Sequence, residues 1–255
     1  MTDDAVLTEV HDHTLLITIN RPEARNALNG AVARGMAAAL DRLDEDDDLR
    51  VGVLTGAGGT FSSGMDLKGF LTGDLPLVEG RGLAGLTERP PRKPLIAAIE
   101  GYALAGGCEL VLACDLVVAA EDARLGVPEV KRGLVAGGGA AMLLAQRIPR
   151  AAALELLLVG DPVEAPRAHE LGLVNRVVPS GTAVEAALEL AARIAANGPL
   201  AVAVTKQVAL AAVDWTREES WAKQSELIGP VFVSADAQEG ATAFAEKRPP
   251  VWTGR

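Results

Sequence analysis

The chain has 255 residues, of which 49% are hydrophobic, 23% charged and only 3% aromatic. That balance excludes a disordered chain and demands a core packed by Ala, Val, Leu and Ile rather than by rings. A formal charge of −10 excludes general DNA or RNA binding and docking on an anionic membrane, unless a local basic patch overrides it. The opening Met1-Thr2-Asp3-Asp4 is acidic and runs into a strand pattern, so no signal peptide is expected. No apolar run reaches the ~18–20 residues of a membrane span, and the expected location is the cytoplasm. Two cysteines and three histidines leave no zinc-type cluster and little material for a Ser-His-Asp hydrolase.

In chain order, Leu7 to Ile19 alternates apolar and polar residues as a β segment, and Asn20-Arg21-Pro22-Glu23 breaks it. Ala31 to Leu43 has helical spacing and closes in the acid run Glu45-Asp46-Asp47-Asp48, a solvated turn. Arg50 to Thr55 reads as a buried strand, followed by Gly56-Ala57-Gly58-Gly59. Gly69 to Pro94 is rich in Gly, Pro and charge with weak periodicity, the mark of a functional or mobile stretch. Leu95–Ile99 is a third strand, Gly106 opens a helix to Ala113, and Asp115–Ala119 is a fourth strand. Helical patterns follow at Gly139–Arg147, Ala151–Val159 and Pro166–Leu171, then a short strand at Val174–Val178. The remainder reads as helix, at Ala183–Asn197, Pro199–Val213, Thr216–Val231 and Ala235–Glu246. Strand–helix alternation followed by a helical C-terminal part predicts an α/β protein with an appended helical unit.

Three familiar motifs fail. Gly56–Phe61 puts Phe61 where a dinucleotide fingerprint needs a small residue, no GxxxxGK[ST] occurs, and Ser62-Ser63-Gly64 lacks the first glycine of a nucleophile elbow. Two other stretches carry more. Phe61-Ser62-Ser63-Gly64-Met65-Asp66-Leu67-Lys68 and Ala103-Leu104-Ala105-Gly106-Gly107-Cys108-Glu109-Leu110 each follow a strand and place glycine at a sharp turn. Paired glycines ahead of a helix leave N–H groups free at its positive end, which is oxyanion-hole chemistry. Glycines easing a strand-to-helix turn explain either stretch taken alone. Glu109, inside an apolar helix, has to find a partner or shift its pKa. Asp115, His169, Cys108 and Cys114 read as structural residues.

Taken together these stretches resemble the crotonase superfamily, the enoyl-CoA hydratase/isomerase family. Asn20-Arg21-Pro22 with Asn26-Ala27-Leu28 is similar to its N-terminal signature, and Leu125-Gly126-Val127-Pro128-Glu129-Val130 to the segment that carries its second acid. Ala168–Val174 and Ala243–Arg248 are similar to later family stretches, so the resemblance runs from about Leu7 to the C-terminus. It implies a crotonase spiral of ββα units over residues 1–195 and a helical trimerisation region over 196–255. It further implies that the N–H groups of Met65 and Gly106 hold a thioester oxygen, and that Glu109 and Glu129 are the paired catalytic acids. Ser63 and the Met65-Asp66-Leu67-Lys68 segment would pass beside coenzyme A, with Arg25 as a phosphate contact. Phe244 and Lys247 would reach the coenzyme A of a neighbouring subunit in a homotrimer or dimer of trimers.

The activity implied is reversible syn hydration of a trans-2-enoyl-CoA, with Glu129 protonating the α-carbon and Glu109 activating water. No metal or separate cofactor is implied, since coenzyme A arrives as part of the substrate. Because coenzyme A is a polyanion, its site has to be locally basic, and Lys68, Lys247, Arg248 and Arg25 are available. The family's hydratases follow the second acid with a Pro-Gly stretch, whereas Gly133 to Gly139 here lacks the proline. The alternatives are an enoyl-CoA isomerase, for which one glutamate suffices, and a crotonobetainyl-CoA hydratase favoured by Asp74, Glu79 and Glu88. A non-catalytic acyl-CoA-binding protein on the same fold is the reading from another class.

Overall fold

The computed structural model describes residues 4–255, so the expectation placed on Met1-Thr2-Asp3 lies outside the described residues. The first β segment is two strands, β1 (Val6–His11) and β2 (Thr14–Ile19), paired antiparallel across a turn in which Asp12 takes φ 51°. No glycine, proline or asparagine marks that turn, which is why the alternation reads through it. Helix α1 (Gly30–Glu45) starts where the Asn29 side chain accepts from the Val32 N–H, and it buries Val32, Met36, Leu40 and Leu43 on one face. Strand β3 (Val51–Gly56) follows. The weakly periodic stretch then holds a short helix, α2 (Leu67–Thr72), and a small hairpin of β4 (Leu77–Val78) and β5 (Gly82–Leu83).

Next come β6 (Leu95–Ile99), β7 (Tyr102–Leu104), α3 (Gly106–Ala113), β8 (Leu116–Ala120) and β9 (Arg124–Gly126). After α4 (Ala140–Arg147) and α5 (Arg150–Val159), the chain runs through β10 (Val163–Glu164), α6 (Ala165–Glu170), β11 (Arg176–Val178) and α7 (Ala183–Ala195). It ends in α8 (Pro199–Ala211), α9 (Arg217–Phe232) and α10 (Ala235–Glu246). No single helix among the described residues is long and apolar enough to cross a membrane.

The large sheet has six strands in the order β1-β2-β3-β6-β8-β11, all parallel after the first hairpin. A smaller sheet runs β10-β9-β7, and Ser62 joins its edge through a parallel bridge to Ala103. Each turn of the chain therefore lays one strand in the large sheet, a second in the small one, and then a helix: β6, β7 and α3, then β8, β9 and α4. Side chains of the central strands are buried on both faces. Leu95, Ala97 and Ile99 of β6 enter the main core, while Ile96 and Ala98 meet Ala187 and Ala191 of α7 on the other face. Burial on both faces erases the alternation a half-exposed strand would show.

The C-terminal helices are fastened to this core by polar side chains. Lys206 on α8 donates to the Pro91 and Lys93 carbonyls at 2.8 and 3.0 Å and to Asp115 Oδ2 at 2.6 Å. Asp115 also accepts from the Leu95 N–H, which makes it the structural residue expected. At the far end, buried Asp236 on α10 accepts from the Thr253 N–H and O–H and from the Gly254 N–H, and its own N–H donates to the Arg255 carbonyl.

Candidate active site

The two glycine turns meet. After β3 the chain pairs with β7: Ser62 N–H donates to the Tyr102 carbonyl and Leu104 N–H to the Ser62 carbonyl, each at 2.9 Å. Two residues on, Leu28 N–H donates to the Gly64 carbonyl and Asp66 N–H to the Leu28 carbonyl, both at 2.8 Å. These rungs turn the Met65 N–H to the opposite side, where it has no hydrogen-bond partner among the described residues. Gly64 is at φ 93°, and a Cβ there would stand 3.0 Å from the Gly106 nitrogen. Ala105 holds φ 51°, ψ −127°, a conformation L side chains resist, and its N–H is tied to the Gly126 carbonyl at 2.8 Å. Gly106, the first residue of α3, also has a free N–H among the described residues, with the positive end of the helix behind it. A Cβ on Gly106 would lie 3.6 Å from the Met65 nitrogen. Two unpaired donors thus face one small space.

Glu109 lies one turn into α3 with only 3% of its surface exposed. Its Oε1 accepts from the Gly138 N–H at 2.7 Å and the Ala140 N–H at 3.2 Å, at the start of α4. Burial pushes its pKa up to about 6, the Ala140 hydrogen bond pulls it back, and the nearby Glu129 carboxyl pushes it up again. Glu129 sits on a tight helical turn, Pro128–Arg132, behind β9. Its Oε2 is buried without a hydrogen-bond partner, and desolvation raises its pKa too. Leu83 links the two halves of the site. A Cβ on Gly106 would come within 3.1 Å of Leu83 Cδ2, and one on Gly138 within 2.7 Å of both Leu83 Cδ2 and Glu109 Oε2. The cluster joins two free N–H donors, one carboxylate held by backbone donors, one carboxyl with a buried unpartnered oxygen, and an apolar wall.

The family model described as enoyl-CoA hydratase/isomerase matches residues 9–255. The chain belongs to this family. Among curated relatives, "Enoyl-CoA hydratase EchA19" of Mycobacterium tuberculosis is 44% identical, covering 98% of this chain and 96% of its own. "Carnitinyl-CoA dehydratase" of Salmonella typhi is 40% identical, with 94% and 95% covered. Among solved structures, enoyl-CoA hydratase EchA1 from Mycobacterium marinum superposes with a TM-score of 0.98 at 58% identity, covering 99% of this chain and all 100% of that one. The fold is the crotonase fold of these hydratases, as the sequence resemblance implies.

The other family-implied residues divide into two groups. Ser63, Asp66, Leu67 and Lys68 flank Met65, and the Ser63 N–H donates to the carbonyl of exposed Arg25 at 3.0 Å, so Arg25 borders the same strand. The Asp66 carboxylate is occupied inside the chain: Oδ1 accepts from the Lys68 and Gly69 N–H groups and Oδ2 pairs with Arg21. Phe244, 88% exposed, and Lys247, at φ 54° on the C-terminal cap of α10, make no hydrogen bond or ion pair with the cluster among the described residues. Arg248, offered as a free cation, is paired with Glu239 and Glu246. Sequence reasoning missed Leu83, Gly138 and the partner role of Arg21. The glycine run 137–139 was the only available signal for the second, and an isolated leucine gives none.

Proposed function

We propose that the protein catalyses reversible syn addition of water to a trans-2-enoyl-CoA thioester, giving a 3-hydroxyacyl-CoA. The reading is carried by the unlike pair of carboxyls beside two free N–H donors. Glu109 is gripped by two backbone donors, Glu129 has a buried oxygen without a hydrogen-bond partner, and burial pushes both carboxyls above the ordinary value. The thioester oxygen accepts from Met65 and Gly106. Water held by ionised Glu109 forms the new C–O bond at C3 and gives its proton to that carboxylate. The C2–C3 π electrons move toward the thioester, negative charge gathers on the oxygen between the two donors, and Glu129 delivers a proton to C2. Donors fixed in advance cost no reorganisation at that moment. No metal or redox group enters the scheme.

Coenzyme A runs along Ser63 to Lys68 with Arg25 at its phosphates, and Phe244 and Lys247 act on a neighbour's ligand in a homotrimer or dimer of trimers built through residues 196–255. The cytoplasm suits such an enzyme. Crotonyl-CoA tests the reading directly: loss of the conjugated thioester absorbance is expected, with 3-hydroxybutyryl-CoA as product. Tight binding with unchanged absorbance would mark a binding protein, and migration of a double bond from 3-enoyl-CoA without hydration would mark an isomerase.

A second reading concerns the acyl group. The carnitinyl-CoA names among relatives favour a cationic acyl chain, and Glu79 and Glu88 are exposed on and beside the hairpin that carries Leu83. Asp74 is less available, because its Oδ1 accepts from the Gly30 N–H. Crotonobetainyl-CoA beside crotonyl-CoA in one competition assay separates the two acyl classes.

A further inference from the structure

We infer that Arg21 is a positioning residue for the Met65 oxyanion donor, acting through its forked contact to Asp66 and the Ala27 carbonyl. This inference rests on the hydratase reading above and extends it to a residue outside the reacting cluster. Arg21 donates from one nitrogen to Asp66 Oδ2 at 3.0 Å and from another to the Ala27 carbonyl at 2.5 Å. Those two acceptors flank the rungs that aim Met65. Ala27 precedes Leu28, whose N–H and carbonyl hold Gly64 and Asp66, and Asp66 follows Met65. The guanidinium therefore ties both strands of a two-rung bridge from outside, across 45 residues of sequence.

Arg21 is itself held. Its backbone N–H donates to Asn26 Oδ1 at 2.9 Å, and its carbonyl accepts from the Asn26 N–H at 2.8 Å. Asn26 in turn donates to the Ala57 and Thr60 carbonyls, which anchors the assembly to the loop after β3. The Arg21 and Asp66 side chains are only 20% and 17% exposed, so this pair is screened less than a surface ion pair. A guanidinium suits this geometry because two separate nitrogens of one rigid plane each reach an acceptor, whereas a lysine would bring a single nitrogen on a flexible stem. Asp66 also caps α2, so the same carboxylate sets where the chain leaves Met65.

The test uses Arg21→Lys, Arg21→Ala and Asp66→Asn in the full chain, with two readouts. Steady-state hydration of crotonyl-CoA should lose about 10- to 100-fold in kcat with KM little changed, a fraction of the about 10²–10³ lost when a hole donor is removed outright. The infrared stretch of butyryl-CoA labelled with ¹³C at the thioester carbonyl reports hydrogen bonding to that oxygen without turnover. It should lie lower in the wild-type complex than free in water, and move back toward the free value in the variants. Wild-type stretch and wild-type kcat in a folded Arg21→Lys and Asp66→Asn would overturn the inference, as would a kcat loss with the stretch unmoved. Should Arg21→Ala fail to fold, the other two decide, since the amide introduced by Asp66→Asn would still offer an oxygen to the α2 cap. No lowering in the wild-type complex would instead defeat the oxyanion-hole reading itself.

Discussion

Glu109 is held in a position that costs stability. Its folded pKa, about 6, lies above the ordinary 4.5, so the folded chain binds a proton more tightly than the unfolded one. Stability therefore falls as pH rises from about 4.5 to about 6 and is flat above, the total being about 2 kcal/mol for that shift. Glu109→Gln removes the charge and leaves an oxygen for Gly138 and Ala140. Thermal denaturation should show the variant more stable than wild type at pH 7 and nearly equal to it at pH 4.5. Activity should move the other way, with hydration down about 10²–10⁴-fold, the usual worth of a positioned proton-transfer group. In the wild type, kcat/KM should fall as pH drops below about 6, because the proposed mechanism uses Glu109 ionised. That acid limb should vanish in Glu109→Gln, and its survival would assign the limb to another group.

Among the elements, the turn from β7 into α3 concentrates most of the chemistry in few residues. Ala105 keeps its strained backbone through the bond to Gly126, and Gly106 and Glu109 follow it three residues apart on one side of the helix. Gly106→Ala keeps the N–H but puts a methyl 3.1 Å from Leu83 Cδ2, 3.2 Å from Leu28 Cδ1 and 3.6 Å from the Met65 nitrogen, in the space where the proposal seats the thioester oxygen. Tenfold or greater loss of kcat/KM with little change in melting temperature is expected; a wild-type value would place the hole elsewhere. The glycines and the glutamate of this turn stand out only when both glycine stretches and the family resemblance are taken together, because Gly-Gly before an apolar helix, alone, also reads as an eased turn. Leu95–Ile99 and Ala235–Glu246 were legible to the residue from an apolar run and a 3.6-residue period with clear ends. The three-residue strands β7 and β9 were not, since they are too short for any period to register. Nor were the partners of Glu109, which come from 29 and 31 residues away and are backbone groups with no side-chain signature.

At the scale of the molecule, a chain of net charge −10 has to gather a polyanion, and Lys68 and Lys247 are both exposed. Lys247→Ala should raise KM for acyl-CoA esters several-fold with kcat nearly unchanged, because phosphate binding is equal in ground and transition states. The effect should shrink with dephospho-CoA esters and at high salt. An unchanged KM would remove Lys247 from coenzyme A binding, and full activity in a dilute monomer would remove the neighbour's share. The fastening of Asp236 by Thr253, Gly254 and Arg255 bears on the same helix. A variant truncated after Trp252 would strip the Asp236 carboxylate of its three donors, at a cost of about 3 kcal/mol. The helix it anchors carries Lys247, so a clipped preparation should melt earlier and show a weakened apparent affinity while its reacting cluster stays whole. Proteolytic loss of this segment during storage would then mimic a substrate-binding mutation, and intact-mass measurement beside KM would tell the two apart.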